Sequence, residues 1–406
     1  MIKRHIENEI KELRKMFSCI LVTGARQVGK TTLLTEFGKK YEYVTFDDPF
    51  AKRQLKESGI NYLDRYNLPL ILDEVQYAPN IFHYIKIKCD KLKKKGIFYM
   101  SGSQLFKMMK NVTESLAGRV GIINLSSLSK REINGEKFYD TFVVRDNYFT
   151  KRKKSLSDFT EKSVWDSIFR GGMPEIIANP KFNKNKYFVT YVNTYLERDV
   201  RDLKQVGNLN KFLDFLVAVA ARTGQLLNKK EISRDIGVAE KTITKWISVL
   251  VASNIIYLLY PYHNNRLKRM IKTPKIYFLD TGLCTYLTSY ETSKTLMNSA
   301  FAGHIFETYV IGEIIKSYYN KGILEPPIYF YRDKNMQEID LIIKKDTTLY
   351  PIEIKKYTNF EVRDMKSFNV LSKLKDIKVG SGAIICMNKE LLKLKDGNYI
   401  IPINYL

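Results

Sequence analysis

The residues Gly24-Ala25-Arg26-Gln27-Val28-Gly29-Lys30-Thr31 fit the pattern G-x-x-x-x-G-K-[ST]. Their types answer to one chemistry, the holding of a nucleoside triphosphate. Glycines at Gly24 and Gly29 let the backbone wrap phosphates, and N–H groups at the start of a following helix, from Ala25 through Thr32, point at them. Lys30 would reach the β- and γ-phosphates, and the Thr31 hydroxyl would hold Mg²⁺. Downstream, Leu68-Pro69-Leu70-Ile71-Leu72-Asp73-Glu74 closes an apolar run with two acids. Asp73 would hold the same Mg²⁺ through water, and Glu74 would polarise the attacking water. Two acids ending a strand by accident is the competing reading, and the upstream loop weighs against it. Ser101 and Ser103, at the tip of Ile97-Phe98-Tyr99-Met100-Ser101, are candidates to sense the γ-phosphate. Arg119 would supply charge to the transition state, in cis or from a neighbouring subunit, with a plain ion pair equally open.

A second constellation lies in the last quarter of the chain. Asp340 falls on one strand-like run, and Glu353-Ile354-Lys355 falls on the next. A period of two sets Glu353 and Lys355 on one face and buries Ile352 and Ile354 on the other. A hairpin would bring Asp340 beside Glu353, and Glu307, near the start of a helix, would complete a hard oxygen site for Mg²⁺ or Mn²⁺. Lys355 would position the attacking water and stabilise charge on a phosphate. The alternative is a structural ion-pair cluster in which Lys355, with Lys356, neutralises the acids.

These residues need elements to hold them. Ile2, Ile6, Ile10 and Leu13 have helical spacing before a strand at 18–22. Runs at 43–46, 68–73, 97–101 and 120–125 supply four more strands. Strands buried on both faces and alternating with helices predict a doubly wound parallel sheet, with the ligand beyond the strand ends. Residues 126–165, with the run Lys151-Arg152-Lys153-Lys154, read as a solvated connector. Arg170-Gly171-Gly172-Met173-Pro174 is a turn-rich break close to the ATPase. Residues 185–223 read as helices carrying Arg198, Asp199 and Arg201. From 229 to 260, helix, Gly237-Val238 turn, helix and strand predict a winged helix. Glu240, Lys241, Thr244 and Lys245 lie on its outward face, and Arg266, Lys268, Arg269 and Lys272 form a basic wing. That module serves either DNA contact or packing. From about 296, helix, three strands, a helix over 361–374 and a strand follow. The predicted divisions are 1–165, 166–290 and 291–406.

GARQVGKT, LILDEVQ, SGSQ and SLAGRV, in this order, resemble the AAA-family ATPases of bacteria and archaea related to the STAND and archaeal-ATPase groups. Many of these carry a C-terminal domain of unknown function. FRGGMPE (169–175), YLERDV (195–200), DTGL (280–283) and GHIFETYV (303–310) extend the resemblance over nearly the whole chain. It implies an α/β P-loop core of the ASCE/AAA+ type, a helical and winged-helix middle, and an α/β end. The order of that end resembles PD-(D/E)xK nucleases, with Ile339 where the nuclease motif has proline.

Composition bounds the rest. A chain of 406 residues is expected to form two or three domains. Its formal net charge of +24 points to a polyanion such as DNA, or else reflects a Lys-rich background. No apolar run approaches the roughly 20 residues of a membrane helix. Cys19, Cys89, Cys284 and Cys386 lack metal-ligand spacing and read as buried hydrophobes of a cytoplasmic protein. Three functions fit: an ATP-driven enzyme that cuts DNA with a metal, a nucleotide-controlled switch whose C-terminal domain only binds DNA or protein, and a transcription regulator. A homo-oligomer is compatible with each.

Overall fold

The computed structural model describes residues 2–103, 112, 114–195, 209–263, 272–358, 361–374 and 377–406. Gln104, Arg198, Asp199, Arg201, Arg266, Lys268 and Arg269, each singled out above, lie outside the described residues.

The N-terminal part runs α1 (Glu7–Met16), β1 (Cys19–Thr23), α2 (Lys30–Phe37), β2 (Glu42–Thr45), α3 (Pro49–Ser58), β3 (Leu70–Asp73), α4 (Ile81–Leu92), β4 (Phe98–Ser101) and β5 (Val120–Asn124). The sheet order is β2-β3-β4-β1-β5, and every pairing is parallel. Strands β1, β3 and β4 are buried at every position, because helices cover both faces. β1 sits between β4 and β5, so the loop after Thr23 emerges from an interior strand at the sheet's C-terminal edge. That is where a doubly wound sheet binds ligands.

Next come α5 (Lys130–Ile133), α6 (Asp146–Lys153), α7 (Glu161–Arg170), α8 (Pro174–Ala178), α9 (Lys184–Tyr195) and α10 (Leu209–Ala220). The expected solvated connector is only partly so: Lys151, Lys153 and Lys154 are exposed, but two of its arginines turn inward. Arg131 and Arg152 are buried, and Arg152 pairs with Glu136 at 2.6 Å. Their guanidinium groups donate to the carbonyls of Leu406 and Asn404, and the Tyr148 hydroxyl donates to that of Tyr405. Charge runs usually mark a wet face, but here the side chains bond backbone carbonyls of residues some 250 positions away.

A three-stranded antiparallel sheet, β6-β8-β7, joins β6 (Gln225–Leu226), β7 (Ile256–Leu259) and β8 (Lys275–Phe278). Between β6 and β7 lie α11 (Lys229–Ile236) and α12 (Glu240–Ala252), separated by Gly237 at φ +68°. After β8 come α13 (Thr281–Leu287), α14 (Ser293–Met297) and α15 (Ala302–Tyr319).

The last unit is a seven-stranded mixed sheet. Its path is β14-β15-β13-β11-β10-β9, with β12 beside β11. The strands are β9 (Ile328–Arg332), β10 (Glu338–Lys345), β11 (Thr348–Ile354), β12 (Lys378–Val379), β13 (Ala383–Cys386), β14 (Leu392–Lys393) and β15 (Tyr399–Pro402). Residues 362–373, expected as an α-helix, form a 3-10 helix. α15 and the backs of these strands share one core with the N-terminal sheet, from Ile6 to Leu406. No helix among the described residues is long and apolar enough to cross a membrane, and all four cysteines are buried and free.

Candidate functional site

The loop from Gly24 to Gly29 leaves β1 and enters α2. Gly24 sits at φ +141°, and a Cβ there would lie 2.1 Å from the Leu125 carbonyl oxygen, so no other residue fits. Lys30 is buried, and its ammonium donates to the carbonyls of Ala25 (2.8 Å) and Gly24 (3.2 Å). These are loop carbonyls beside the position a phosphate would take. Thr31 Oγ1 donates to Asp73 Oδ2 at 2.8 Å, joining the start of α2 to the tip of β3. The Tyr43 hydroxyl donates to the same oxygen at 2.8 Å, and Ser101 donates to Asp73 Oδ1. Ser101 is fully buried, so its hydroxyl fixes Asp73 and does not line the cleft. Ser103 is also buried, within 3.4 Å of the Gln76 amide.

Glu74 takes a left-handed backbone, φ 53° and ψ 45°, which swings its side chain out of the strand line and over the cleft. Gln76 donates to its carboxylate. Burial pushes the Glu74 carboxyl above its ordinary range, and the Lys30 charge opposes that shift. The cleft is a cavity of about 690 Å³, lined on the loop side by Arg26, Gln27, Gly29, Lys30, Thr31, Thr32 and Glu74. Its other wall, Pro174, Glu175, Tyr187 and Thr194, comes from α8 and α9. The end of the FRGGMPE segment, Pro174 and Glu175, therefore forms part of the cleft wall. It is held there by Asp280, whose carboxylate accepts from the Gly172 amide at 2.9 Å. A Cβ on Gly172 would meet the Leu128 carbonyl at 2.3 Å, so FRGGMPE, DTGL and the segment after β5 interlock.

Two supports had no sequence signal. Tyr43 was read only as strand. Arg4 bonds the Val28 carbonyl (2.9 Å), the Ser126 carbonyl (2.8 Å) and Glu132 (3.0 Å), bracing the phosphate loop from behind. Burial opposes ionisation of Glu132, but Arg4 and the amides of Ser129 and His5 hold its carboxyl at about 2.

Arg119 falls elsewhere. Its carbonyl accepts from the amide of Cys19, the first residue of β1, whereas the phosphate loop follows the last. At about 3.3 Å per residue the two ends of β1 are about 13 Å apart. The guanidinium pairs with Asp90 at 2.6 and 3.0 Å. A role in cis at the chain's own nucleotide does not fit this position.

The second constellation assembles, but not as a metal site. The β10–β11 register pairs Leu341 with Ile352, and one step on it sets Asp340 opposite Glu353. Asp340 Oδ2 accepts from the Ile354 amide at 2.9 Å. Glu353 is buried along with its strand neighbours, contrary to a simple two-face pattern. It accepts from Lys355 (2.9 Å) and Ser367 (3.0 Å). Glu307 accepts from the Tyr277 hydroxyl (2.5 Å) and from Lys275 Nζ (3.1 Å), which also pairs with Glu338 at 2.7 Å. Burial and then the Asp340 charge push Glu353 up to about 8 and Glu307 up to about 7. Among the described residues no group of three or more His, Cys, Asp or Glu is placed to hold a metal ion. The expected convergence of Glu307, Asp340 and Glu353 on Mg²⁺ or Mn²⁺ is thus corrected. Lys275 and Lys355 meet the acids instead, and Lys275, from β8, was not foreseen. Lys356 turns away onto the Tyr357 ring.

The Thr31–Asp73 pair does fit Mg²⁺. It sets a hydroxyl and a carboxylate at the mouth of a phosphate-sized loop, where three hydroxyls orient the acid.

Comparison with known proteins agrees with the N-terminal geometry. Residues 17–134 match the AAA domain family, residues 161–294 a domain of unknown function (DUF8612), and residues 302–406 another (DUF4143). An uncharacterized protein of Mycobacterium tuberculosis (strain H37Rv) is 26% identical over 94% of this chain and 79% of its own length. An uncharacterized protein of Mycobacterium bovis matches to the same extent. Among solved structures, the Walker-type ATPase of Pyrococcus abyssi aligns over 71% of this chain and 96% of its own, at 17% identity and a TM-score of 0.41. The Thermotoga maritima RuvB Holliday junction branch migration motor aligns over 62% and 88%, at 12% identity and a TM-score of 0.30. With its parallel sheet, its phosphate loop and the match over residues 17–134, the N-terminal part of this chain is a P-loop ATPase domain of the AAA type.

Proposed function

We propose that the chain is an ATP-hydrolysing switch in which the state of the nucleotide sets the fit between the ATPase cleft and the segments behind it. The observation that carries this is the 2.8 Å Thr31–Asp73 hydrogen bond, with Glu74 beside it over the cleft. Residues 24–32 would cradle the phosphates, and Lys30 would exchange its loop carbonyls for phosphate oxygens. Thr31 and Asp73 would hold Mg²⁺, which supplies charge neutralisation at the phosphates. Glu74, the only acid lining the loop side of the cleft among the described residues, would orient the attacking water. Its raised pKa suits proton acceptance. Ser101 and Tyr43 would act by positioning Asp73. Arg119 is kept for a neighbouring subunit of a homo-oligomer, since its own nucleotide is out of reach. Glu74→Gln tests the core of this: ATP should still bind while turnover is lost, and normal turnover would defeat the assignment.

Residues 225–278 are read as a winged helix that contacts duplex DNA. Support comes from α12, where Lys241, Thr244 and Lys245 are exposed beside Glu240, and from the excess of positive charge. Such contacts favour phosphate over base readout. The C-terminal sheet is read as a docking module that does not cut.

One observation favours a second reading, metal-dependent cleavage of DNA. It is the register that brings Asp340 opposite Glu353, with Lys355 two residues on. Incubating the full chain with linear and branched DNA, with Mn²⁺ and with or without ATP, separates the two. Cleavage lost in Asp340→Ala would establish the second reading.

A further inference from the structure

The parallel sheet of the ATPase domain has two edges, and the phosphate loop occupies only the C-terminal one. At the other edge the chain enters β1, β2 and β4 through short basic segments. Arg14 and Lys15 end α1, and Lys39 and Lys40 precede β2. Lys91 lies in the last turn of α4, and Lys93, Lys94 and Lys95 follow it before β4. All of these side chains are exposed. The three segments touch one another. The Gly96 amide donates to the Phe17 carbonyl at 2.8 Å, and the Tyr99 ring lies 5.6 Å from that of Phe37 and 5.2 Å from that of Tyr41. The Arg14 guanidinium stands 5.8 Å over the Phe37 ring. One continuous basic face results.

Acids do not balance it. Glu12 pairs with Lys15 and Glu36 with Lys39, each at 2.8 Å, and Asp90 is taken by Arg119. Among the described residues no acid pairs with Lys40, Lys91, Lys93, Lys94 or Lys95. Helix dipoles account for Arg14, Lys15 and Lys91, which lie in last turns. They do not account for the three lysines beyond the end of α4. Lys93 even takes a left-handed backbone, φ 52° and ψ 24°, where glycine is least strained.

We propose that this face is a contact surface for duplex DNA, holding its phosphates without reading their sequence. Like charges gathered without counter-charges gain from an extended polyanion, whose own counterions they displace. Lysine suits phosphate as a point charge and leaves the bases unread. Met16 is the one large apolar side chain exposed within these segments, too little to anchor in a bilayer or to centre a protein interface. No aromatic ring there is exposed to stack an unpaired base, so a duplex fits better than a single strand. The proposal does not rest on the contact read for α12, because its test leaves Lys241 and Lys245 in place.

The test is fluorescence anisotropy of a short labelled DNA duplex, titrated with the full chain at several salt concentrations. Lys93→Glu, Lys94→Glu and Lys95→Glu together should weaken binding at least about tenfold at low salt. They should also lower the slope of log affinity against log salt by about 2.7, three phosphates at about 0.9 each. The same reversal at Lys151, Lys153 and Lys154 changes net charge equally and should move the slope by less than about 0.9. Circular dichroism melting shows whether the variants are folded, and glutamine at the three positions serves as a milder substitution. ATP turnover should be unchanged, since its site lies at the other edge of the sheet. An unchanged slope in the folded triple variant would overturn the proposal. So would an equal loss in the Lys151, Lys153 and Lys154 variant, which would make net charge the cause. A triple variant that loses binding to phosphatidylserine vesicles but keeps the duplex would overturn it in favour of a membrane contact.

Discussion

Two sets of acids are held by side-chain hydrogen bonds in this molecule, and their neighbours differ. Among the described residues Asp73 accepts from the hydroxyls of Thr31, Tyr43 and Ser101, which are neutral and leave its charge in place. Glu307 is paired with Lys275 and Glu353 with Lys355, so these two acids already have a cation beside them. Both patterns look alike in sequence, since each is a run of apolar residues ending near carboxylates with a lysine at hand. Which neighbours the fold brings decides between a site that draws in a cation and a site that already has one. Hydroxyl donors orient a carboxylate without cancelling it, whereas a buried ammonium does both.

The contrast can be broken most sharply at Lys30 and Glu74. Lys30→Ala should weaken ATP binding about a hundredfold or more, the scale of losing a charge-assisted contact to phosphate. Titration with a fluorescent ATP analogue measures it. Glu74→Gln should keep binding and lower turnover by about 10²- to 10⁴-fold. A larger loss in Asp340→Ala than in Glu74→Gln would reverse the assignment of the two sets.

Breaking the brace behind the loop should come next. Glu132→Gln leaves Arg4 buried with its charge uncompensated, which costs about 3–5 kcal/mol. Urea unfolding should show that loss in the transition that includes the ATPase domain, and a change under about 1 kcal/mol would mean water replaces the pair.

The balanced set has a signature in pH. Glu307 and Glu353 have folded pKa values raised to about 7 and about 8, above the ordinary value. A raised carboxyl gives stability that is complete below the unfolded pKa and is lost as pH rises through the folded one. The melting temperature should therefore fall between pH 5 and 8. Asp340→Asn removes a cause of both shifts and should flatten that fall. An equally steep fall in the variant would place the effect elsewhere.

The smallest effect concerns α12. Charge reversal at Lys241 and Lys245 should lower the slope of log affinity for duplex DNA against log salt by about 1.8, two phosphates at about 0.9 each. An unchanged slope would move the DNA surface away from this helix.

The sequence made the nucleotide cleft legible because a phosphate loop is local: eight consecutive residues bracketed by strand and helix. Strands β1, β3 and β4 are legible for the same reason, as continuous apolar runs buried on both faces. Lys275 could not be found this way, since it reads as one more lysine in a basic stretch and meets Glu307 32 residues later. Arg4 is 128 residues from Glu132, and no periodicity links them. The connector failed for a related reason. Arg131 and Arg152 look solvated by composition, but the return of residues 404–406 adds carbonyls for them to bond beyond the local ones of Asp140 and Ser155. Glu353 reads as the exposed face of an edge hairpin, but β13 pairs on the other side of β11 and closes it in.

That return has a consequence for how the protein is made. Arg131 and Arg152 donate to carbonyls of Asn404 and Leu406, and Tyr148 to that of Tyr405. A ribosome delivers about 5–20 residues per second, so some 250 residues mean about 12–50 seconds of waiting. During that interval the ATPase sheet can form, while two arginines beside it lack their final partners. The nascent chain would thus hold a nucleotide-binding loop before the segment flanking it is packed, and residues 404–406 complete the interior around Arg131 and Arg152.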